Sequence, residues 1–186
     1  MDMPNSLKTN IIETAKTGNS ETIGLLYEQH HASVFRYLYY RVGDWQTAED
    51  LTSEVFLRMV RSLAGYADHG IVFQAWLLRI ARNLAIDHFR QAGASRQVEL
   101  VENLPAADVE PAAAVERDLT SDALRRALSK LEADQRDVVV MRFVVNMPIA
   151  DVAQTINRSE DAVKGLQRRG LMALRALLAD VEVSHV

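Results

Sequence analysis

The sequence lacks cysteine altogether, has only eight glycines and four prolines in 186 residues, and contains no long apolar run. The absent thiols exclude disulfides, thiolate zinc sites and a cysteine nucleophile. The longest apolar stretches, such as 138–141, are far shorter than the roughly 20 residues that span a bilayer. Residues 1–10 have no apolar core of the kind found in signal peptides. We therefore expect a soluble, cytoplasmic protein that does not insert into membranes.

Basic residues are outnumbered by acidic ones. The chain has 21 Lys and Arg and 25 Asp and Glu, which gives a net charge of −4. Free-standing nucleic-acid-binding proteins are usually basic overall. The acidic excess falls in residues 92–118, where two arginines accompany six acidic residues. This stretch also contains Pro105 and Pro111 and has no sustained apolar period. It is predicted to be a flexible acidic linker, and the rest of the chain sums to zero charge.

Elsewhere, apolar residues recur at intervals of three and four, which predicts α-helices. The N-terminal half has three such stripes, over 21–42, 48–63 and 73–88, and Asp44 is a suitable N-cap for the second. The C-terminal part has four, over 124–131, 134–145, 149–156 and 159–179. We predict an all-α fold with two small helical domains. The expected boundaries are an N-terminal extension at 1–20, a first domain at 21–91, the linker at 92–118, a second domain at 119–179 and a tail at 180–186.

The second domain ends in a helix-turn-helix pattern, in which a short helix, the turn Asn157-Arg158 and a longer helix capped by Ser159 follow one another. The second helix of such a unit lies in the major groove of DNA. Its stripe of Val163, Leu166, Gly170 and Leu174 is expected to face the core, and Lys164, Gly165, Arg168, Arg169 and Arg175 lie on or beside the opposite face. Residues 158–175 hold five Lys or Arg and two acids. An ordinary solvated helix face fits these features equally well.

Three sequence blocks, in order, resemble the extracytoplasmic-function (ECF) sigma factors of the sigma-70 family. The first is DWQTAEDLTSEVFL at 44–57, and the second is FQAWLLRIARNLAIDHFR at 73–90. The third runs from Leu131 through QRDV at 135–138 and MRF at 141–143 into the helix-turn-helix. The resemblance covers residues 21–91 and 119–178.

This resemblance implies a site for core RNA polymerase and two sites for promoter DNA, with no catalytic residues, metal or cofactor. It places polymerase binding at Asp50, Leu51, Glu54 and Arg58. It places the contacts to the minus-ten element at Arg79, Arg82, Asn83, Arg90, Tyr66 and His69. It places the contacts to the minus-thirty-five element at Arg158, Ser159, Glu160, Asp161, Lys164, Gly165, Arg168 and Arg169. An anti-sigma factor is a further partner that the resemblance implies.

The chain departs from the family pattern around the helix-turn-helix. Asn146 stands in an approach that commonly contains glycine, and it can adopt the same left-handed conformation. Ala162 replaces a threonine, which removes a hydroxyl available to phosphate. Gly165 disfavours a helix interior by about 1 kcal/mol, which predicts close approach of another backbone or of DNA.

Two other classes of function compete with a sigma factor. A stand-alone transcriptional regulator can carry the same helix-turn-helix, but the N-terminal half shows neither a ligand pocket nor α/β alternation. A helical enzyme would need a constellation around His30, His31, His69 or His88. No two of these histidines have metal-ligand spacing with a carboxylate, and no phosphate loop or serine elbow is present.

Overall fold

The structure, a computed structural model of the chain, describes residues 5–66, 72–96 and 123–183. Helices account for all of the regular secondary structure within these ranges, which confirms the all-α prediction. The helices are α1 (Asn5–Lys16), α2 (Ser20–Val42), α3 (Trp45–Ser62), α4 (Phe73–Arg96), α5 (123–129), α6 (Ala133–Val139), α7 (Ile149–Ile156) and α8 (Glu160–Val183). A 3₁₀ turn at Leu63–Gly65 follows α3, and a π-helical turn at Val140–Val144 continues α6.

Helices α2, α3 and α4 pack on one another and form, with α1, the N-terminal domain. Fully buried apolar residues such as Leu38, Val55 and Leu77 fill the space between them. The connection from α2 to α3 follows the sequence prediction: Gly43 ends α2 with φ 84°, and the Asp44 carboxylate accepts from the Thr47 N–H at 2.7 Å. These two residues set a sharp turn, which brings α3 back along α2.

Helix α1 was not anticipated, because residues 1–20 carry too few apolar side chains to show a period. It packs against α2 and the 3₁₀ turn, with Ala15 buried and Ile11 and Ile12 half-buried. Asn19 then starts α2 by accepting from the Thr22 N–H at 2.9 Å. Part of the predicted N-terminal extension is therefore a packed element of the first domain.

Helices α5–α8 form the C-terminal domain, in which α8 crosses α6 and α7. Val163 and Leu166 are buried and Leu174 is partly buried, as the predicted stripe requires. The predicted left-handed conformation of Asn146 is confirmed by its φ of 63°, and Asn157 ends α7 with φ 54°. The two asparagines do what glycines commonly do at such turns.

The two domains touch directly, an arrangement that the sequence did not predict. Helix α4 packs against α7, and α2 packs against the π-helical turn. The α4 surface expected to face DNA therefore lies beside the helix-turn-helix. The predicted linker lies largely outside the described residues, except that α4 continues to Arg96.

Candidate nucleic-acid interface

The helix-turn-helix presents its second helix with the expected face outward. Ser159 caps α8 by accepting from the Ala162 N–H at 3.2 Å, so α8 begins at the predicted position. The side chains expected to contact DNA are exposed along its first turns, namely Arg158, Ser159, Glu160, Asp161, Lys164, Arg168 and Arg169. The Lys164 ammonium lies 3.1 Å from the Asp161 carboxylate, and both groups are exposed. Such a pair is weak in water, so Lys164 remains able to contact a phosphate.

The two glycines of α8 have different surroundings. A Cβ added at Gly165 would meet only the Arg169 guanidinium, at 3.5 Å, which is an ordinary contact. No other backbone approaches Gly165 within the described part of the chain, so that half of the prediction is wrong. The close approach occurs at Gly170, where a Cβ would lie 2.8 Å from Val139 Cγ2 and 3.4 Å from the Gln135 carbonyl oxygen. Gly170 therefore allows α8 to cross α6.

Helix α3 carries the predicted polymerase-binding residues on one side. Asp50 is exposed and accepts from the Gln46 amide at 3.3 Å, and Glu54 pairs with Arg58 at 2.7 Å. Leu51 is half-buried at the edge of this surface. A surface with carboxylates beside an apolar edge suits a partner that is both basic and apolar.

An apolar groove beside this face was missed at the sequence level. Leu57 and Val60 are about half exposed, at 52% and 46%. Together with Tyr27 and Phe56 they line a groove of about 600 Å³ between α2 and α3. The helical period places Leu57 and Val60 on the outer face of α3. Apolar residues on an outward face could therefore have been recognised from the sequence.

The four α4 residues predicted to contact the minus-ten element do not share one environment. Asn83 and Arg90 are exposed, and Arg90 pairs with Asp87 at 3.1 Å. Arg79 and Arg82 instead point at the C-terminal domain. The Arg79 guanidinium donates to the carbonyl oxygen of Gln154, and the Arg82 guanidinium donates to two carboxylates of α6.

The two aromatic residues predicted to contact the minus-ten element, Tyr66 and His69, differ as well. Tyr66 is buried, with its ring 4.9 Å from Trp76 and 5.4 Å from Phe73 between centroids. The Lys16 ammonium of α1 lies 5.6 Å above the same ring. In this conformation Tyr66 is part of the core, where no base can stack on it. His69 lies outside the described residues.

Asp137 of α6 is the centre of the contact between the domains, and it is fully buried. Its carboxylate accepts from Tyr37 Oη at 2.9 Å, from Arg41 Nε at 2.7 Å and from Arg82 Nε at 2.8 Å. We call Asp137, Tyr37, Arg41 and Arg82 the Asp137 cluster. Three of its members belong to the N-terminal domain, so the cluster joins α2 and α4 to α6.

The Asp137 cluster changes the ionisation of its members. Burial raises the pKa of the Tyr37 hydroxyl well above its usual value, and the neighbouring Asp137 charge raises it further. Burial is the largest single influence on the pKa of Arg82 and lowers it, but the charge and hydrogen bond of Asp137, together with Tyr37 and Asp134, raise it, and the net shift is upward. Tyr37 is therefore a neutral donor and Arg82 a permanent cation, which is the arrangement that a buried carboxylate needs.

Further polar contacts surround the Asp137 cluster. The Asp134 carboxylate lies between one arginine of each domain. It is 2.8 Å from Nη2 of Arg82 in the N-terminal domain and 3.3 Å from Nη2 of Arg158 in the C-terminal domain. The Thr155 hydroxyl donates to the Asp151 carbonyl at 2.8 Å within α7 and lies 3.3 Å from the Ala75 carbonyl of α4. Arg136 donates to the Arg41 carbonyl at 3.1 Å. The contact therefore involves two residues predicted for the minus-ten site, Arg79 and Arg82, and one predicted for the minus-thirty-five site, Arg158.

The cluster was not predicted from the sequence, because Arg41 and Tyr37 lie 96 and 100 positions away from Asp137 in the chain. Helical spacing reports which residues share a face of one helix, and carries no information about contacts between helices so distant in the chain. One local signal was present. Asp137 directly precedes the apolar run Val138–Met141, and a buried carboxylate needs cationic or hydrogen-bonding partners.

Known proteins resemble this chain over most of its length. The family model described as Sigma-70 region 2 matches residues 26–95, and Sigma-70 region 4 matches residues 127–176. The ECF RNA polymerase sigma factor BldN of Streptomyces coelicolor is 40% identical over 172 residues, which cover 91% of this chain and 65% of BldN. The ECF RNA polymerase sigma factor SigX of Bacillus subtilis is 33% identical, with coverage of 83% and 82%.

A solved structure shares the fold. The sigma factor RpoE of Bartonella quintana, crystallised with the anti-sigma factor NepR, matches with a TM-score of 0.72 at 20% identity. The match covers 84% of this chain and 96% of RpoE. Among the described residues there is no group of three or more His, Asp or Glu placed to hold a metal ion. Within residues 5–66, 72–96 and 123–183, none of the helices combines the length and the apolar content that a membrane span requires.

Proposed function

Because the chain belongs to the ECF RNA polymerase sigma factors of the sigma-70 family, we propose that it directs core RNA polymerase to specific promoters and assists DNA melting at initiation. The observation that carries this proposal is the presence, in order, of both regions: a four-helix N-terminal domain and a C-terminal helix-turn-helix. A stand-alone regulator would not need the first of these. On this proposal the protein performs no chemistry of its own.

Each surface is assigned one task in this proposal. The α3 face with Asp50 and Glu54 binds core polymerase, since its carboxylates and apolar edge suit a basic partner surface. The exposed early part of α8 binds the minus-thirty-five element through Lys164 and Arg168, which reach phosphates or guanine edges. The α4 surface binds and helps to melt the minus-ten element. An anti-sigma factor is a further proposed partner, supported by the RpoE complex, which contains one.

The chain's charge distribution agrees with this division of tasks. Affinity for duplex DNA grows with the number of phosphates that a protein neutralises. An acidic chain of net charge −4, in which residues 158–175 hold only five Lys or Arg and two acids, should bind DNA weakly alone. A subunit that recognises promoters only when bound to polymerase is compatible with that weakness.

Two variants, one on α3 and one on α8, test the assignment of these surfaces to polymerase and to the minus-thirty-five element. We expect Asp50→Lys to weaken binding to core polymerase at least about tenfold, because it reverses a charge at the contact. We expect the double variant Lys164→Ala/Arg168→Ala to bind core polymerase normally but to reduce promoter binding by the holoenzyme. Its salt dependence should also be shallower, since two phosphate contacts are lost. Core affinity is measured by fluorescence titration, and promoter complexes by filter binding on genomic fragments selected by the wild-type holoenzyme.

Matched controls make the outcome specific. Glu49→Lys makes the same charge change one position away on α3, off the proposed contact face, and Arg126→Ala removes an exposed cation of α5. Both should behave like the wild type. If Asp50→Lys and Glu49→Lys weaken core binding equally, or if the α8 variant leaves promoter binding unchanged, the corresponding site assignment is wrong.

A further inference from the structure

An acidic side chain stands at the centre of the outward face of α8. Asp161 lies on the opposite side of the helix from the buried residues Val163, Leu166 and Gly170, and its side chain is 93% exposed. In a helix-turn-helix this outward face of the second helix enters the major groove. A carboxylate there opposes binding, because both strands of DNA carry negative phosphates. Its position therefore needs an explanation other than overall affinity.

Stabilisation of the helix end does not explain this position. An acid in the first turn of a helix interacts favourably with the helix dipole wherever it lies around the axis. Glu160 already provides this interaction, and its side chain is directed about 100° around the helix from Asp161. The dipole therefore accounts for an acid in the first turn of α8, but not for one at the centre of the face that meets DNA.

Lys164 is placed to orient Asp161 and to offset its charge. Its ammonium group lies 3.1 Å from the Asp161 carboxylate. The pair is weak in water but strengthens where DNA displaces water. An ammonium has three N–H donors, so Lys164 can hold Asp161 and still donate to a phosphate. Beside the pair, Gly165 has no side chain, and a Cβ there would meet only Arg169. The edge of a base pair can therefore approach this part of α8.

We propose that Asp161 determines sequence specificity in the minus-thirty-five element by accepting a hydrogen bond from N4 of a cytosine, and that Lys164 is the residue that positions it. This inference rests on the proposed function, because it supposes that α8 enters the major groove of promoter DNA. An ionised carboxylate accepts hydrogen bonds and donates none. In the major groove guanine presents the acceptors N7 and O6, and thymine presents the acceptor O4 and a methyl group. Both bases therefore repel Asp161.

Adenine is disfavoured by the groups that flank its donor. The N6 amino group of adenine lies between two acceptors, adenine N7 and thymine O4. The N4 amino group of cytosine has an acceptor on one side alone, guanine O6. A carboxylate that accepts from cytosine therefore meets less repulsion than one that accepts from adenine. The minus-thirty-five element should accordingly contain a G·C pair whose cytosine faces Asp161.

Base selection by variants distinguishes a specificity role from a structural one. The wild-type holoenzyme should prefer cytosine about tenfold at one position of the upstream element. Asp161→Ala should make the four bases nearly equal at that position alone. Asp161→Asn should change the preference there to adenine, because an amide both donates and accepts and so matches adenine N7 and N6. Lys164→Ala should weaken the cytosine preference about threefold, and Lys164→Arg should restore it. A purely structural role would change the affinity for all sequences together.

The experiment assembles holoenzyme from core polymerase and each full-length variant. Each holoenzyme selects from copies of one promoter fragment, bound by the wild type, in which the upstream element is randomised, and the bound duplexes are sequenced. Glu132→Gln is the matched control, because it neutralises an exposed carboxylate of the same domain that pairs with Gln135 of α6. It should select like the wild type. Unchanged base preferences in both Asp161 variants, or no cytosine preference in the wild type, would overturn this inference alone. A wild-type holoenzyme that selects no sequence would overturn the proposed function.

Discussion

At the scale of single residues, short polar side chains determine where the helices begin. Asp44 caps α3, Asn19 caps α2 and Ser159 caps α8, each through an oxygen that accepts a backbone N–H three residues later. Two of these, Asp44 and Ser159, were predicted from the sequence because capping depends on residue type and local position alone. Asn19 was not, because the helix that precedes it was not recognised.

Asp44 allows a test that depends on pH. The Thr47 N–H hydrogen bond lowers the pKa of Asp44, so its ionised form is favoured in the folded chain. The stabilisation is present above the unfolded pKa of about 4 and is lost as the pH falls through the lower folded value. We expect Asp44→Ala to lose about 1 kcal/mol of unfolding free energy at pH 7, and less as the pH falls below about 4.

Urea unfolding followed by circular dichroism, at neutral and acid pH, measures this difference. Asp44→Asn is the control, because asparagine caps nearly as well as aspartate and does not titrate. It should retain most of the stability at pH 7. Equal stability of Asp44→Ala, Asp44→Asn and the wild type at neutral pH would show that the cap contributes nothing.

At the scale of helices, the sequence predicted those that have a regular apolar stripe and missed those that depend on neighbours. Helices α2, α3, α7 and α8 lie where their periods place them. Helix α1 was missed, because its burial comes from packing on α2 and the 3₁₀ turn. The π-helical turn at Val140–Val144 was also missed, since hydrophobic spacing does not distinguish it from continued α-helix.

The two glycines of α8 offer a prediction at this scale. Gly170→Ala places a Cβ 2.8 Å from Val139 Cγ2 and close to the α6 backbone, so α8 must move away from α6. We expect a loss of about 1–3 kcal/mol in unfolding free energy. Gly165→Ala meets only the flexible end of Arg169, so it should raise helix stability by up to about 1 kcal/mol.

Thermal and denaturant unfolding of the two variants decides between these expectations. They are matched because both make the same substitution in the same helix. A destabilising Gly165→Ala together with a neutral Gly170→Ala would contradict the packing of α8 on α6. If Gly165→Ala is stable yet lowers promoter binding by the holoenzyme, then Gly165 serves close approach of DNA, as the sequence suggested.

At the scale of the whole molecule, the structure adds the contact between the two domains, which patterns in the sequence did not predict. Residue types, motif order and helical period predicted two domains, their class and the outward faces of α3 and α8. They did not predict that the domains meet through Asp137, because the pairing of Arg41 and Arg82 with Asp137 joins residues far apart in the chain. The contact reassigns Arg79 and Arg82 from an open surface to a covered one.

The whole-molecule account requires the two domains to separate when the chain joins polymerase. Since the chain has no cysteine, labels can be attached at two introduced positions alone. Gln29→Cys on α2 and Met172→Cys on α8 are suitable, because both native side chains are exposed. Double electron–electron resonance between spin labels at these sites reports the separation of the domains.

The most direct measurement compares this distance in the free chain and in the complex with core polymerase. We predict a single short distance in the free chain, a longer one in the complex, and a mixture in free Asp137→Asn. The same distance in the free chain and in the complex would contradict the account, since Arg79 and Arg82 would then stay covered in the species that must bind the promoter.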